Sequence, residues 1–378
     1  MNIKKIPLSL YIHIPWCVTK CNYCDFHSYK IKKNDLYDEY CKHILNDLLK
    51  DIQLIENRKI NSIFIGGGTP SILNPNLIKN LLFKINKLIS FKNNIEITIE
   101  INPNNFNKEK LIIYKNSGIN RISIGVQSFE NKKLKLIGRD HKKNNIIDTI
   151  KIINNNKIKN FNIDIMYGLP QQTVNQAIND IKKAISLKPS HISWYQLTIE
   201  PKTLFYSNPP ILPNDTILYN IYEIGNKLLN KSGYIQYEIS SYANKNFKCK
   251  HNLNYWKFGD YIGIGCGAHG KITKKNGIIL RTLKVRHPKK YMLGKYLDKC
   301  ETVLKKDIPL EYFMNRFRLN EYVLKSDFFY YTQLNLKYIR KMINKAIYMK
   351  FIKETSKYFI LKKKGKLFLN SLLQIFIK

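Results

Sequence analysis

The chain has 378 residues, 44% of them hydrophobic and 12% aromatic, enough for a sizeable core and too apolar for a disordered chain. Its 64 Lys and Arg stand against 27 Asp and Glu, a formal charge of +37. No apolar run approaches the ~20 residues that a membrane-spanning helix needs.

The basic residues are mostly Lys, scattered through Lys-, Asn- and Ile-rich stretches such as "NNNKIKNFN". They read as compositional drift rather than a footprint for a partner, because charge statistics bear on association and not on fold. No specific nucleic acid is expected; a peripheral contact with an anionic membrane stays open. The opening "MNIKKIPLSLYIHIPW" has its apolar positions broken by Pro7, Ser9, His13 and Pro15. It reads as a first strand, not a signal peptide. That predicts a cytoplasmic location, where thiols stay reduced. Seven cysteines, an odd count, suit ligands or free thiols better than a disulfide framework.

Short β-like runs succeed one another along the first half: "LSLYIHI" (8–14), "SIFIGGG" (62–68), "IEITIEI" (95–101), "RISIGVQ" (121–127), "FNIDIMYG" (161–168) and "ISWYQLT" (192–198). Each is rich in β-branched or aromatic residues, as buried parallel strands are. Helical patterns lie between them, one opened by the start signal Asn74-Pro75. The alternation implies right-handed crossovers and predicts an α/β fold, an incomplete parallel (β/α)6 barrel. Gly66 to Thr69, Glu100, Gln127, Asp164, Thr198 and Glu200 all fall at or near strand C-termini, where such architectures build active sites. After Pro209-Pro210 the pattern changes to a helix and then a polar-aromatic segment, Tyr234 to Gly270. The tail "FIKETSKYFILKKKGKLFLNSLL" reads as a two-stranded wing and a last helix. The expected division is a barrel core over 1–235, a second segment over 236–305 and a small winged-helix-like domain over 306–378.

Three of the seven cysteines, Cys17, Cys21 and Cys24, crowd into eight positions as C-x3-C-x2-C. Thiolates are soft ligands that select zinc, copper or iron–sulfur groups. A structural zinc asks for four protein ligands, and the next cysteine is Cys41, so His27 would have to complete it. A cubane cluster on three thiolates instead leaves one iron with an open position for an exogenous ligand.

C-x3-C-x2-C after a strand, then "GGGTP", then a strand-end Glu, resembles the radical S-adenosylmethionine superfamily. The resemblance implies a 4Fe-4S cluster on Cys17, Cys21 and Cys24, with S-adenosylmethionine on the open iron and its reductive cleavage to an adenosyl radical. "YIHIPWC", "GGGTPS", "INRISIGVQSF", "GRDH" and "FNIDIMYGLP" are similar to the coproporphyrinogen-dehydrogenase-like branch. By that similarity Tyr11 packs near the cofactor and Tyr23 sits beside the adenine. Gly67, Gly68 and Thr69 take the methionyl amine and backbone. Glu100, Gln127, Arg139 and Asp164 reach the ribose and carboxylate, with Thr198 at the adenine end. The residue types suit these roles: glycines permit close approach, a strand-end acid accepts from a ribose hydroxyl, and a guanidinium fork matches a carboxylate.

Two features turn away from the porphyrinogen-oxidising enzyme of this branch. Phe26 stands where that enzyme has a fourth cysteine, and only 16 residues precede Cys17 where it has an extension. Both features, and "HNLNYWKFGDYIGIGCGAHG" (251–270), resemble the HemW-type haem chaperones. That group implies haem as cargo, haem-accepting respiratory proteins as partners and no true coproporphyrinogen oxidase activity. His251 is the favoured haem ligand, with Tyr255 and Trp256 as flat apolar faces and Lys248, Lys250 and Lys257 for the propionates. Cys249 and the pair Cys266/His269 are alternative ligands, and a buried His251 in ordinary core packing is the plain alternative to a haem contact. Oxidative decarboxylation of coproporphyrinogen III is the rival function, and a homodimer stays open.

Overall fold

The computed structural model describes residues 6–32 and 36–377; Met1 to Lys5 of the expected first segment lie outside them. All six expected strands form: β1 (Leu8–Ile14), β2 (Ile60–Gly67), β3 (Phe91–Ile101), β4 (Arg121–Gln127), β5 (Phe161–Tyr167) and β6 (His191–Gln196). They lie side by side in parallel, in chain order. Helices α1 (Tyr37–Asp51), α2 (Pro75–Leu88), α3 (Lys108–Asn116), α4 (Lys143–Asn155) and α5 (Val174–Ser186) fill the crossovers, and α6 (Asp215–Lys231) comes after β6. The Asn74-Pro75 signal holds: Asn74 accepts from the Asn76 amide and Pro75 opens α2.

Period-two alternation divides each strand. On β1, Leu8, Leu10, Ile12 and Ile14 join the main apolar core. Ser9, Tyr11 and His13 share the opposite face and meet other polar groups there: Ser9 and Ser62 hydroxyls lie 2.7 Å apart, Tyr11 and His13 3.0 Å. The barrel therefore has an oily outer wall and a polar lumen.

A seventh parallel strand joins the six of the barrel. After β7 (Ile235–Glu238) and β8 (Ser241–Ala243), which add antiparallel to β6, helix α7 (Lys250–Trp256) leads to β9 (Asp260–Ile264). Strand β9 pairs in parallel with β1, Leu8 opposite Asp260. It lies inside the segment that reads only as polar-aromatic in the sequence, with Gly263 in its middle. A Cβ on Gly263 would fall 2.1 Å from the His269 carbonyl oxygen, so the small residue serves a close strand contact. Strands β10 (His269–Thr273), β11 (Ile279–Lys284) and β12 (Leu297–Thr302) continue this edge, giving a twelve-stranded sheet. The segment 236–305 thus extends the barrel sheet at both ends.

Two buried charge clusters fasten these late strands. Asp260 meets Arg58 at 2.7 Å and Lys271 at 3.0 Å, and accepts from both the amide and the hydroxyl of Thr273. Lys284 donates to Asp47 and Asp51 of α1, each at 2.6 Å, and the Tyr291 hydroxyl also donates to Asp47.

The C-terminal part has its own apolar cluster, with Tyr312, Phe313, Phe328, Ile343, Phe359 and Phe376 at its centre. Helices α8 (Ile308–Arg316), α9 (Lys325–Thr332) and α10 (Arg340–Tyr348) pack with a small antiparallel sheet of β13 (Val323–Leu324), β14 (Ile352–Glu354) and β15 (Tyr358–Leu361). Among the described residues no helix is long and apolar enough to cross a membrane.

Candidate functional site

The C-terminal ends of β2 to β6 and the loop after β1 enclose a cavity of about 280 Å³. One wall is the cysteine loop. Trp16–Cys17 pairs in parallel with Tyr29–Lys30, which folds residues 17–30 back on themselves. A turn in which the Cys24 amide donates to the Cys21 carbonyl sets those two on one rim. Asn22 anchors the loop: its amide donates to Ile137 and its side chain to the Leu136 carbonyl. Cys17, Cys21 and Cys24 are all free thiols, and all three line the cavity. Burial pushes the Cys17 and Cys21 thiols up, and the neighbouring thiols add to the shift; Arg139 counters it at Cys21.

His27 is not among the lining residues. Its ring lies against Gly267, where an added Cβ would come within 2.8 Å of Cδ2. His27 is therefore not placed to complete a zinc site on these cysteines, since zinc would draw all its ligands to within about 2.3 Å. Among the described residues, three soft thiols line one recess with no fourth thiol beside them, which fits a 4Fe-4S cluster with an open vertex. When bound, such a group supplies a low-potential electron at that vertex.

The glycine run forms the floor beside the cysteines. The Gly68 amide donates to Ile14 and the Thr69 amide to Trp16. A Cβ on Gly68 would fall 2.4 Å from the Trp16 carbonyl oxygen; Gly67, at φ +115°, would meet His13 and Ile14 at 2.7 Å. The glycines thus let β2 seat directly on the strand that presents Cys17. Gly68→Ala should cost about 1–3 kcal/mol by overpacking and displace Trp16–Cys17. A lowered melting temperature together with weaker iron retention is the expected pair of results.

The far wall is charged. Glu100, next to last in β3, accepts from the Gly67 amide at 3.2 Å. Burial, then the nearby Asp164, raises its carboxyl to about 8. Asp164 is also pushed up by burial, against hydrogen bonds that include Ser123 at 3.0 Å and Asn162 at 2.8 Å. Arg139 donates to the Tyr23 hydroxyl at 2.9 Å, its guanidinium 6.0 Å from the ring centre. Tyr195 donates to Gln127 at 2.9 Å. Gln127 holds φ +68°, a strained setting for a residue with a side chain, at the strand end where the cavity begins.

Paired acids, a guanidinium and open backbone suit a zwitterionic ligand with hydroxyls. A sulfonium cation entering this cavity favours the ionised form of Glu100, so binding displaces the carboxyl proton. The affinity for S-adenosylmethionine should therefore rise from pH 6 to pH 8, by up to about tenfold per unit, and level off above. Calorimetry across that range checks it, and Glu100→Gln should flatten the profile.

Cys17, Cys21, Cys24, Tyr23, Gly67, Gly68, Thr69, Glu100, Gln127, Arg139 and Asp164 all come together here. Three expected residues do not. Tyr11 pairs in register with Phe64 inside the lumen, its hydroxyl on His13, rather than lining the cavity. Thr198 is exposed and bonds Glu200, because β6 ends at Gln196 and the Leu197 amide turns to Tyr167. Tyr195 supplies that wall instead. His251 lies in the barrel floor, 1% exposed, with Nδ1 3.1 Å from the Ser62 hydroxyl and Nε2 2.7 Å from the Tyr255 hydroxyl. Burial lowers it to about 3. Both ring nitrogens meet hydroxyls here, the ordinary packing that the sequence offered beside a haem contact. Ser123 and Gly125 escape the sequence reading, although they share one face of β4 with Gln127 at period two.

The Radical SAM superfamily profile matches residues 11–184. The chain is 48% identical over 375 residues to "Heme chaperone HemW" of Escherichia coli (strain K12), covering 99% of each. To "Heme chaperone HemW" of Buchnera aphidicola subsp. Schizaphis graminum it is 52% identical over 374 residues, 98% of each. Among solved structures it matches coproporphyrinogen III oxidase (HemN) from Escherichia coli with a TM-score of 0.84 at 21% identity, covering 99% of this chain and 90% of that one, a likeness of fold. With its cysteine loop, glycine floor and acidic wall at the mouth of a parallel barrel, the chain belongs to the radical SAM superfamily, in the group of the HemW heme chaperones.

Proposed function

We propose that this protein binds haem and hands it to acceptor proteins. Its scaffold holds a 4Fe-4S cluster on Cys17, Cys21 and Cys24, with S-adenosylmethionine between Gly67–Thr69 and the wall of Glu100, Gln127, Arg139 and Asp164. The observation that carries the haem assignment is kinship along 98–99% of the chain with proteins named heme chaperone. Phe26 supports it: an exposed phenyl ring at the cavity rim adds no fourth thiol. The division into 1–235, 236–305 and 306–378, a cytoplasmic location, respiratory haem proteins as acceptors and a homodimer belong to the same proposal. A salt-sensitive contact of the basic surface with anionic membranes belongs to it as well.

Titrating the anaerobically purified protein with hemin tests it. A saturable Soret shift is expected, then transfer of haem to an apo-form respiratory haem protein. Incubation with coproporphyrinogen III, reductant and S-adenosylmethionine should yield no protoporphyrinogen. Absence of saturable hemin uptake would sink the proposal, and protoporphyrinogen formation would replace it with the enzyme.

A further inference from the structure

A line of hydrogen bonds runs through the lumen from the cofactor cavity to the barrel floor. Asp164 lines the cavity. Two residues earlier on β5, the Asn162 side chain donates to Asp164 at 2.8 Å. His191, which opens β6, sets Nδ1 2.7 Å from the Asn162 side-chain oxygen and Nε2 2.8 Å from the Tyr237 hydroxyl. Tyr237 of β7 accepts in turn from the Cys249 amide at 3.3 Å. Cys249 is the N-cap of α7, the helix that carries His251.

The two ends fix the polarity of this chain. At the floor a backbone amide can only donate, so the Tyr237 oxygen uses a lone pair on Cys249 and turns its own hydrogen to His191 Nε2. At the cavity Asn162 faces a carboxylate, so its NH2 points there, and its oxygen accepts from His191 Nδ1 and the Ser193 hydroxyl. A neutral imidazole with its hydrogen on Nδ1 fits both neighbours, and burial keeps His191 neutral. Every donor therefore points from α7 toward Asp164.

In such a head-to-tail chain each bond polarises the next. Asn162, His191, Tyr237 and Cys249 are each at most 4% exposed, so water does not break into it. A carboxylate that gains negative charge accepts more strongly, and the gain passes down the line to the Cys249 amide. A cationic ligand in the cavity has this effect, because it favours the ionised form of Asp164. The start of α7 has a second hold: Glu96 accepts from the His251 amide at 3.1 Å. Glu96 is not among the residues lining the cofactor cavity, so Tyr237 is the anchor that leads there.

We propose that His191 and Tyr237 are positioning residues that couple the cofactor cavity to α7, so that filling the cavity tightens the hold on the helix bearing His251. The coupling rests on the S-adenosylmethionine site proposed above and adds a signal to it. The segment that is similar to the haem chaperones then senses whether the cofactor is in place.

Amide hydrogen exchange on the full-length, anaerobic, cluster-loaded protein tests the coupling, with S-adenosylmethionine as the probe. Calorimetry on the same samples measures its binding. In wild type, saturating S-adenosylmethionine should slow exchange across 249–256 by about fivefold or more. Tyr237→Phe keeps the ring and removes the hydroxyl that serves both His191 and Cys249; it should still bind S-adenosylmethionine and show no slowing at α7. Tyr234→Phe loses a buried hydroxyl bond to the Pro189 carbonyl, outside the chain. It is the matched control and should slow as wild type does. Slowing that persists by the same ratio in Tyr237→Phe would mean a merely structural hydroxyl and overturn the coupling. Wild type that binds S-adenosylmethionine with α7 exchange unchanged would overturn it too, and leave the cofactor site standing. Wild type that binds none would overturn both. These wild-type results decide even where Tyr237→Phe fails to fold.

Discussion

Asp260→Asn should destabilise the protein by about 3–5 kcal/mol, the scale for breaking a buried ion pair from one side. Asp260 is fully buried and accepts from Arg58, Lys271 and Thr273. Burial alone would raise its carboxyl, but Lys271 and Arg58 outweigh it and hold the group below its usual value. Removing the charge strands two cations in a dry interior: Lys271 is 1% exposed and Arg58 is also buried. The strand that carries Asp260 is the second partner of β1, so the loss falls on the β1–β9 seam. The pH dependence has a definite sign. Lys271 is already lowered, chiefly by burial, and losing Asp260 lowers it further. The unfolded chain then binds more protons than the folded one, so the variant gains stability as pH rises toward the normal lysine range, more steeply than wild type. Denaturant melts at several pH values check both claims. A loss below about 1 kcal/mol would mean that water reaches the stranded cations.

Cys21→Ser should abolish the iron–sulfur group. Iron and sulfide per chain fall to background and the visible absorbance of the reduced, anaerobic protein disappears. Three thiols line the recess, and no other cysteine can step in: Cys41, Cys249 and Cys266 are buried elsewhere. A serine hydroxyl is a harder and more weakly acidic donor. The melting temperature of the cluster-free protein should barely change, because Cys21 sits on a surface loop that Asn22 anchors. Cys300→Ser, on an exposed edge strand, is the matched control and should keep its cluster. Survival of the absorbance in Cys21→Ser would remove the ligand assignment.

Legibility along the chain has a physical cause. Buried parallel strands announce themselves as β-branched runs, so β1 to β6 are visible in the sequence. The cavity residues Glu100, Gln127 and Asp164 are visible too, because polar groups within or at the ends of such apolar runs stand out, and parallel β/α folds build sites at strand ends. Thr198 misleads because β6 stops at Gln196, and a two-residue shift carries a side chain out of the cavity. Strand β9 is hidden because it is short and broken by Gly263, which serves a close contact with His269. His251 is ambiguous for a different reason. Histidine, tyrosine and tryptophan close together suit a macrocycle and a barrel floor equally well, and the partners Ser62 and Glu96, from strands far off in sequence, are not visible in the motif.

The position of β1 between β2 and β9 has a consequence for how the chain is made. Leu8 needs Ile60 on one side and Asp260 on the other. At about 5–20 residues per second, the second neighbour leaves the ribosome about 10–40 s after the first. Through that interval the first strand shows an unpaired edge, and helix α7 has not yet sealed the lumen beneath it. The earliest-made part of the protein, the cysteine loop, therefore spends its first seconds on an unfinished wall. Iron loading before the chain is complete has to succeed on that open form, or wait for the last third to arrive.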